Sequence, residues 1–192
     1  MISTWRSSSR QTVLLMVIEL VQFSLDNPHF ACADGAIGTQ PFMAIDLLQA
    51  IGSDKNVARL YRHDAESFAW VLLWICTRYN KGLLIESAPL EEWTTMTFRQ
   101  CADNKANIKL SRLQATSDYQ DYWPVVQKLA IFWVKRYDKQ KYATNAGEKY
   151  TEPTDESCAK EVVEEVFRLV EAHPCLKFLT PEGWVPYLHR RS

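Results

Sequence analysis

The longest uninterrupted apolar run in the chain after its first quarter is Phe68 to Cys76, FAWVLLWIC, inside the stretch DAESFAWVLLWICTRY. Asp64 is a good helix N-cap, and Glu66 would sit in the first turn, where a negative charge favours the helix dipole. Between Phe68 and Cys76 no polar position recurs, so the segment 64–79 reads as a helix that is hydrophobic all round. Such a helix is either buried on every side or lies in a membrane. The run is well short of the ~20 residues that a span requires. The pattern therefore predicts a central post around which other helices pack.

The flanking pattern is also mostly helical. Residues 12–25 form an apolar run that periodicity cannot assign to helix or strand. Residues 26–41, DNPHFACADGAIGTQP, are rich in proline and glycine and read as a loop, followed by a short helix over 42–51 and a turn at GSDKN. The segment APLEEWTTMTFRQCADNKANIKL suggests a turn with one or two short helices. In DYQDYWPVVQKLAIFWVKRY, Val125, Val126, Leu129, Phe132 and Trp133 recur at helical spacing as a core face. Residues 138–155 are polar and read as a long loop. A last amphipathic helix carries Val162, Val163, Val166, Phe167, Leu169 and Val170 and stops at Pro174. Strand signals are few and no repeat is visible, so the class is mainly α.

Composition narrows the functional classes. The chain has 192 residues, 47% of them hydrophobic, which suits one folded core. With 22 basic and 23 acidic residues and no basic stripe, nothing points to nucleic acid or an acidic membrane surface. The five cysteines, Cys32, Cys76, Cys101, Cys158 and Cys175, form no Cys-x-x-Cys pair and suggest neither a zinc site nor a disulfide framework. Cys76 reads as a small buried hydrophobe. Arg6 and Arg10 before TVLLMVIELVQF loosely mimic a signal peptide, but Glu19 interrupts the run, and a core helix is the better reading. An intracellular protein, cytoplasmic or nuclear, is expected.

Taken singly, the chemistry-bearing residues do not make an active site. His63-Asp64 could pair as base and orienting acid, yet neighbours at a helix start point apart, and a solvated histidine is expected. Ser67 lacks a Gly-x-Ser-x-Gly elbow. Glu161, Glu164, Glu165, Glu171 and His173 do not follow the His-Glu-x-x-His spacing that holds zinc. Trp70, Trp74, Trp123 and Trp133 fall at helical spacing and belong to a core. No glycine-rich phosphate loop occurs in the sequence.

Two segments taken in order carry more. GTQPFMAIDLL followed by YRHDAESFAWVLLWIC resembles the part of a protein kinase that follows the activation loop, in the form seen in the fungal-type protein kinase family. Trp93 in LEEWTTMTFRQCADNKANIKL, with Lys105 after it, is similar to that family's next segment. The resemblance is specific over roughly 37–112 and weak beyond. It implies a protein-kinase-like large (C-terminal) lobe over residues 37–192, a helical bundle around a buried central helix, preceded by a divergent segment 1–36, with the N-lobe absent. It places Gly38, Thr39, Phe42 and Met43 in the substrate-docking loop. Ala44-Ile45-Asp46 would stand for the Ala-Pro-Glu motif, whose acid pairs with a later arginine; Arg112, Arg136 and Arg168 are the alternatives. Asp64 would be the scaffolding aspartate that bonds the catalytic loop, and Glu66 a structural acid beside it.

The giving half of phosphoryl transfer is missing from the sequence. There is no Gly-rich loop, no Val-Ala-Ile-Lys and no His-Arg-Asp-x-x-x-x-Asn. Arg62-His63-Asp64 has those letters in the wrong order and follows the docking loop. Asp26 precedes Asp46 by about the spacing of a magnesium aspartate but lacks the Asp-Phe-Gly pattern. The expectation is thus a truncated lobe inactive alone, with no catalytic residue, metal ligand or cofactor of its own. ATP and magnesium are implied only for a complete family member that phosphorylates serine or threonine. The alternative is a helical pseudokinase-type module that binds a protein partner through the docking loop.

Overall fold

The computed structural model describes residues 39–53 and 60–146, with the single positions Glu161, Glu164, Glu165 and Arg168. The expectations for 12–25, Asp26, Gly38, Glu171, His173 and Pro174 lie outside the described residues. The four single positions are helical and belong to a compact unit separate from the one that spans Ala31–Pro153. Within that small set Arg168 donates to Glu165 at 2.7 Å.

The larger unit is mainly helical. A 3-10 turn, Gln40–Phe42, leads into α1, Ile45–Ile51. Helix α2 runs Tyr61–Arg78, and α3 runs Phe98–Ala106 after a second 3-10 turn at Glu91–Thr94. Two more 3-10 turns, Leu110–Arg112 and Ser117–Tyr119, precede α4, Trp123–Asn145. A two-residue antiparallel hairpin pairs β1, Tyr79–Asn80, with β2, Leu83–Leu84. Its turn residues Lys81 and Gly82 have φ of 51° and 77°, the left-handed pair that a tight hairpin needs and that glycine supplies without strain.

Packing pairs α1 with α3 and α2 with α4. Gly52, just beyond α1, lies so near α3 that a Cβ there would come within 3.1 Å of the Arg99 Cβ. On α4 the buried residues are Val125, Val126, Ala130 and Trp133, while Leu129 and Phe132 are half-buried. Helix α3 is capped reciprocally: Thr97 Oγ1 accepts from the Gln100 amide at 3.3 Å, and Gln100 Oε1 accepts from the Thr97 amide at 3.0 Å.

Three expectations are corrected. Helix α2 begins at Tyr61 with Leu60 as its N-cap, so Asp64 is a first-turn residue and Glu66 lies beyond that turn. The start moves back because His63 Nδ1 accepts the Leu60 amide at 2.9 Å, a cap supplied from inside the helix. Second, α2 is not buried on all sides. Ala65, Ala69, Trp70, Leu72, Leu73 and Cys76 are buried, but Phe68, Val71, Trp74 and Ile75 are half-buried along one stripe. Third, the loop expected from residue 138 onward is helical as far as Asn145. Lysine, glutamine and alanine are good helix formers, and a polar stretch built of them continues a helix without any hydrophobic period.

Candidate functional site

The segment Thr39–Asp46 is fixed almost residue by residue. Thr39 is exposed and caps the 3-10 turn through its carbonyl, which accepts the Phe42 amide at 2.9 Å. Gln40 donates its side-chain amide to the Trp93 and Met96 carbonyls at 3.2 and 2.6 Å, joining the loop to the Glu91–Thr94 turn. Pro41 is buried, and Phe42 meets Trp74 edge to face at 5.6 Å. Phe42 is itself half-buried, so the aromatic pair reaches the surface beside Thr39.

Below this loop lies a cluster of buried charged side chains. Lys105, fully buried on α3, donates to the Met43 carbonyl at 2.6 Å. Its ammonium stands 5.1 Å from the ring centroids of both Trp70 and Trp93, which meet each other edge to face. Two aromatic faces and one carbonyl thus replace the water that the ammonium gave up. Burial nevertheless pushes the Lys105 amine down to about 8, opposed by the nearby Cys101 and Glu66.

Glu66, buried on α2, accepts two donors on one oxygen. Its Oε1 takes the Ile45 amide at 2.9 Å and the Trp70 indole N–H at 3.0 Å. Ala44, the N-cap of α1, has no side-chain acceptor, so a carboxylate from another helix does the capping. Burial, reinforced by the charge of Asp46, pushes the Glu66 carboxyl up to about 7 despite its hydrogen bonds and Lys105.

Asp46 is the third member. Its Oδ1 accepts the Leu47 amide at 2.8 Å, and its Oδ2 lies 2.6 Å from Arg62 Nη1 and 2.9 Å from His63 Nε2. Burial alone would raise this carboxyl, but the His63 hydrogen bond and the Arg62 guanidinium outweigh it and hold Asp46 below the usual range. The arginine that answers Asp46 is thus Arg62, from the same helix as Glu66. Among the three alternatives, Arg136 lines the small cavity next to Asp46, Arg62, Glu66 and Tyr137, Arg112 is exposed, and Arg168 pairs with Glu165.

His63 corrects another expectation. It is fully buried, not solvated, and its acid is Asp46, not the adjacent Asp64. Because Nδ1 accepts a backbone N–H, the hydrogen-bond pattern assigns the ring proton to Nε2, which donates to Asp46. Both nitrogens are engaged in holding structure, and neither is presented as a base. Asp64 is half-buried, and the α2 residues that grip α1 are Arg62, His63 and Glu66. Cys76 is buried with its thiol pushed up to about 12 by burial, as expected of an inert core cysteine. Among the described residues no group of three or more histidine, cysteine or acidic side chains could hold a metal, and no helix is long and apolar enough to cross a membrane.

The family model described as fungal protein kinase matches residues 1–76. Over those residues, about two fifths of the chain, the sequence is similar to the fungal protein kinases. The fungal-kinase stretch takes in the loop Thr39–Met43, the anchor Asp46 and all three α2 residues that hold them. It ends at Cys76, so Trp93 and Lys105 complete the site from outside the matched residues. No curated protein and no solved structure matches the chain. Of the side chains that build the site, Arg62 and Gln40 carried no usable sequence signal. The Thr97-to-Gln100 capping spacing, which fixes where α3 starts and hence where Lys105 falls, was readable in TFRQ.

Proposed function

We propose that the larger unit is the peptide-docking half of a fungal-kinase-like domain, which seats a Ser/Thr-containing protein segment on Thr39–Met43 without transferring phosphate itself. One observation carries this reading. The loop is held by Lys105 at the Met43 carbonyl and by its own Gln40 on the Trp93 and Met96 carbonyls, with Glu66 on the Ile45 amide just beyond it, while Thr39 and the edge of Phe42 remain at the surface. A loop preorganised in this way loses little freedom when a partner segment lies on it.

The absence of transfer rests on chemistry. Phosphoryl transfer needs a catalytic Asp and Asn, a phosphate-gripping Lys and a magnesium-holding Asp. The sequence carries none of the motifs that supply them. The acids and the histidine near the loop are committed to its support. Functionally the unit then acts as a binding module of a pseudokinase kind, with a protein as its partner.

The test combines two measurements on the full chain. With Mg-ATP and a general Ser/Thr substrate, no phosphate incorporation and no thermal stabilisation are expected. On arrayed Ser/Thr-containing peptides, binding is expected that Phe42→Ala weakens by about tenfold, the loss of roughly one buried aromatic contact. Turnover would overturn the binding-only reading, and an array with no binder would overturn docking.

A further inference from the structure

We propose that the open edge of β2 is a self-pairing surface, through which two copies of the chain join as antiparallel strands about a two-fold axis at Leu84. This surface is separate from the docking loop and stands or falls independently of it.

The two strands of the hairpin are in different circumstances. Strand β1 is tied down along its outer side. Thr116 Oγ1 donates to the Tyr79 carbonyl at 2.5 Å, Ser117 Oγ to Asn80 Oδ1 at 3.0 Å, and the Lys81 amide that follows to Asp118 Oδ2 at 2.7 Å. Strand β2 pairs with β1 alone. The Ile85 amide donates to the Arg78 carbonyl at 2.9 Å, and Leu84 lies opposite Tyr79. Hydrogen-bonded and non-hydrogen-bonded pairs alternate along an antiparallel ladder, so Leu84 and Tyr79 form a non-hydrogen-bonded pair. The N–H and C=O of Leu84 therefore point away from β1, toward the open edge. An edge of this kind is a template for another strand unless charge or proline blunts it. Here Leu83 is 73% and Leu84 55% exposed, two of the four large apolar side chains exposed among the described residues. No charge or proline interrupts Leu83–Ile85.

The occupant is a second copy because the edge is its own complement. One outward N–H and one outward C=O on the same residue are both satisfied when Leu84 lies opposite the partner's Leu84 in an antiparallel pair. In that register Leu83 falls opposite the partner's Ile85 on one face, twice over by symmetry. On the other face the two Leu84 side chains meet. Glu86 then falls opposite the partner's Gly82, which has no side chain, and next to the partner's Lys81. Neither Lys81 nor Glu86 has an ion pair of its own among the described residues. A parallel pair would instead set Glu86 beside Glu86 and Lys81 beside Lys81. Apolar against apolar and acid beside base thus single out the antiparallel pair. The contact is short, so the dimer should be weak, with Kd on the order of 0.1 mM.

Sedimentation equilibrium of the full chain between about 0.01 and 1 mM should show a monomer–dimer equilibrium of that strength. Leu84→Lys sets two like charges face to face and should weaken the dimer at least about tenfold. Tyr142→Lys, which alters an equally solvent-facing apolar residue on α4, should leave it unchanged. In low salt Lys81→Glu should weaken the dimer about threefold, and adding Glu86→Lys should restore it. A readout in the unsubstituted chain needs no variant. The Leu84 amide should gain protection from hydrogen exchange as concentration rises, while the Ile85 amide, already bonded within its own hairpin, should change little. A chain still monomeric at the highest concentration, or a dimer indifferent to Leu84→Lys or lost in Tyr142→Lys, would overturn the pairing. So would a double charge exchange no tighter than Lys81→Glu alone, or a Leu84 amide insensitive to concentration.

Discussion

The two ends of α2 carry the same residue type in opposite circumstances. At its N-terminal end Arg62, only 6% exposed, faces the mostly buried carboxylate of Asp46, whose side chain is 15% exposed, next to His63 and the small cavity that Asp46, Arg62 and Glu66 line. At its C-terminal end Arg78 is equally buried, 3% exposed, but its Cζ lies over the Trp74 ring at 3.8 Å from the centroid, and it donates to the Pro89 carbonyl and to Glu91, whose side chain is 65% exposed. Water can replace Glu91 freely when it is lost; at the other end it reaches the place of Asp46 far less. Buried pairs are costly to break because the surviving charge is stranded, whereas exposed pairs contribute little. The loop-bearing end of the helix is therefore the fragile one, and the hairpin end is tolerant.

At the fragile end the heaviest loss should come from Lys105→Met. The substitution keeps much of the volume but leaves the Met43 carbonyl without its donor and Glu66 without its nearby cation. A loss of about 3 kcal/mol or more is expected, read as a lowered urea midpoint at pH 7.5 with an unchanged slope. Adding Glu66→Gln should recover part of it, because a neutral amide accepts the same two hydrogen bonds without needing a cation. A loss below about 1 kcal/mol would mean that Lys105 is not a principal anchor.

Asp46→Asn comes next in size. It removes the buried charge that Arg62 and His63 face, and about 2 kcal/mol of stability at pH 7 should go, less than for Lys105 because Asp46 keeps some contact with solvent. The pH dependence tests the cause. Asp46 is held below its ordinary 3.8, so its stabilisation is complete above that value and disappears as pH falls through its lower folded value. Urea midpoints taken from pH 5 to pH 2 should show a shallower acid limb in the variant. An identical limb in both proteins would show that the acid response belongs to other carboxylates.

How far the sequence could be read differs between the same two ends. The apolar run Phe68–Cys76 announced α2, and the period in Val125–Trp133 announced α4, because burial of one face imposes a 3.6-residue repeat. The resemblance to a known pattern singled out Phe42 and Met43 as docking-loop residues and Asp46, Asp64 and Glu66 as structural ones. What they touch was not. Met43 contributes its carbonyl, and Ile45 its amide, and backbone groups leave no trace in residue identity. Lys105 stood out only through the resemblance of its segment to the fungal-type kinases, since nothing local in DNKANIK tells that Trp70 and Trp93 will meet around it. His63 misled for the same reason: its true partner lies 17 positions away, and adjacency to Asp64 was only sequence. The polar extension of α4 to Asn145 escaped because helix propensity without a hydrophobic face has no period to detect.

On the tolerant side the response should be slight. Glu91→Gln removes the charge opposite Arg78 but retains a carbonyl oxygen that can accept from the same guanidinium. Arg78 keeps its stacking on Trp74 and its bond to the Pro89 carbonyl, neither of which involves the carboxylate. With the Glu91 side chain 65% exposed, water and salt already screen most of the attraction. The stability change should stay within about 0.5 kcal/mol by urea denaturation and should shrink further in roughly 0.5 M salt. Protection of the Phe42 and Ile45 amides should be unaltered, because no group that seats the loop has changed. A loss comparable to that of Asp46→Asn would mean that the rim pair is desolvated after all, and that burial of the arginine, not of its partner, decides the strength of such a pair.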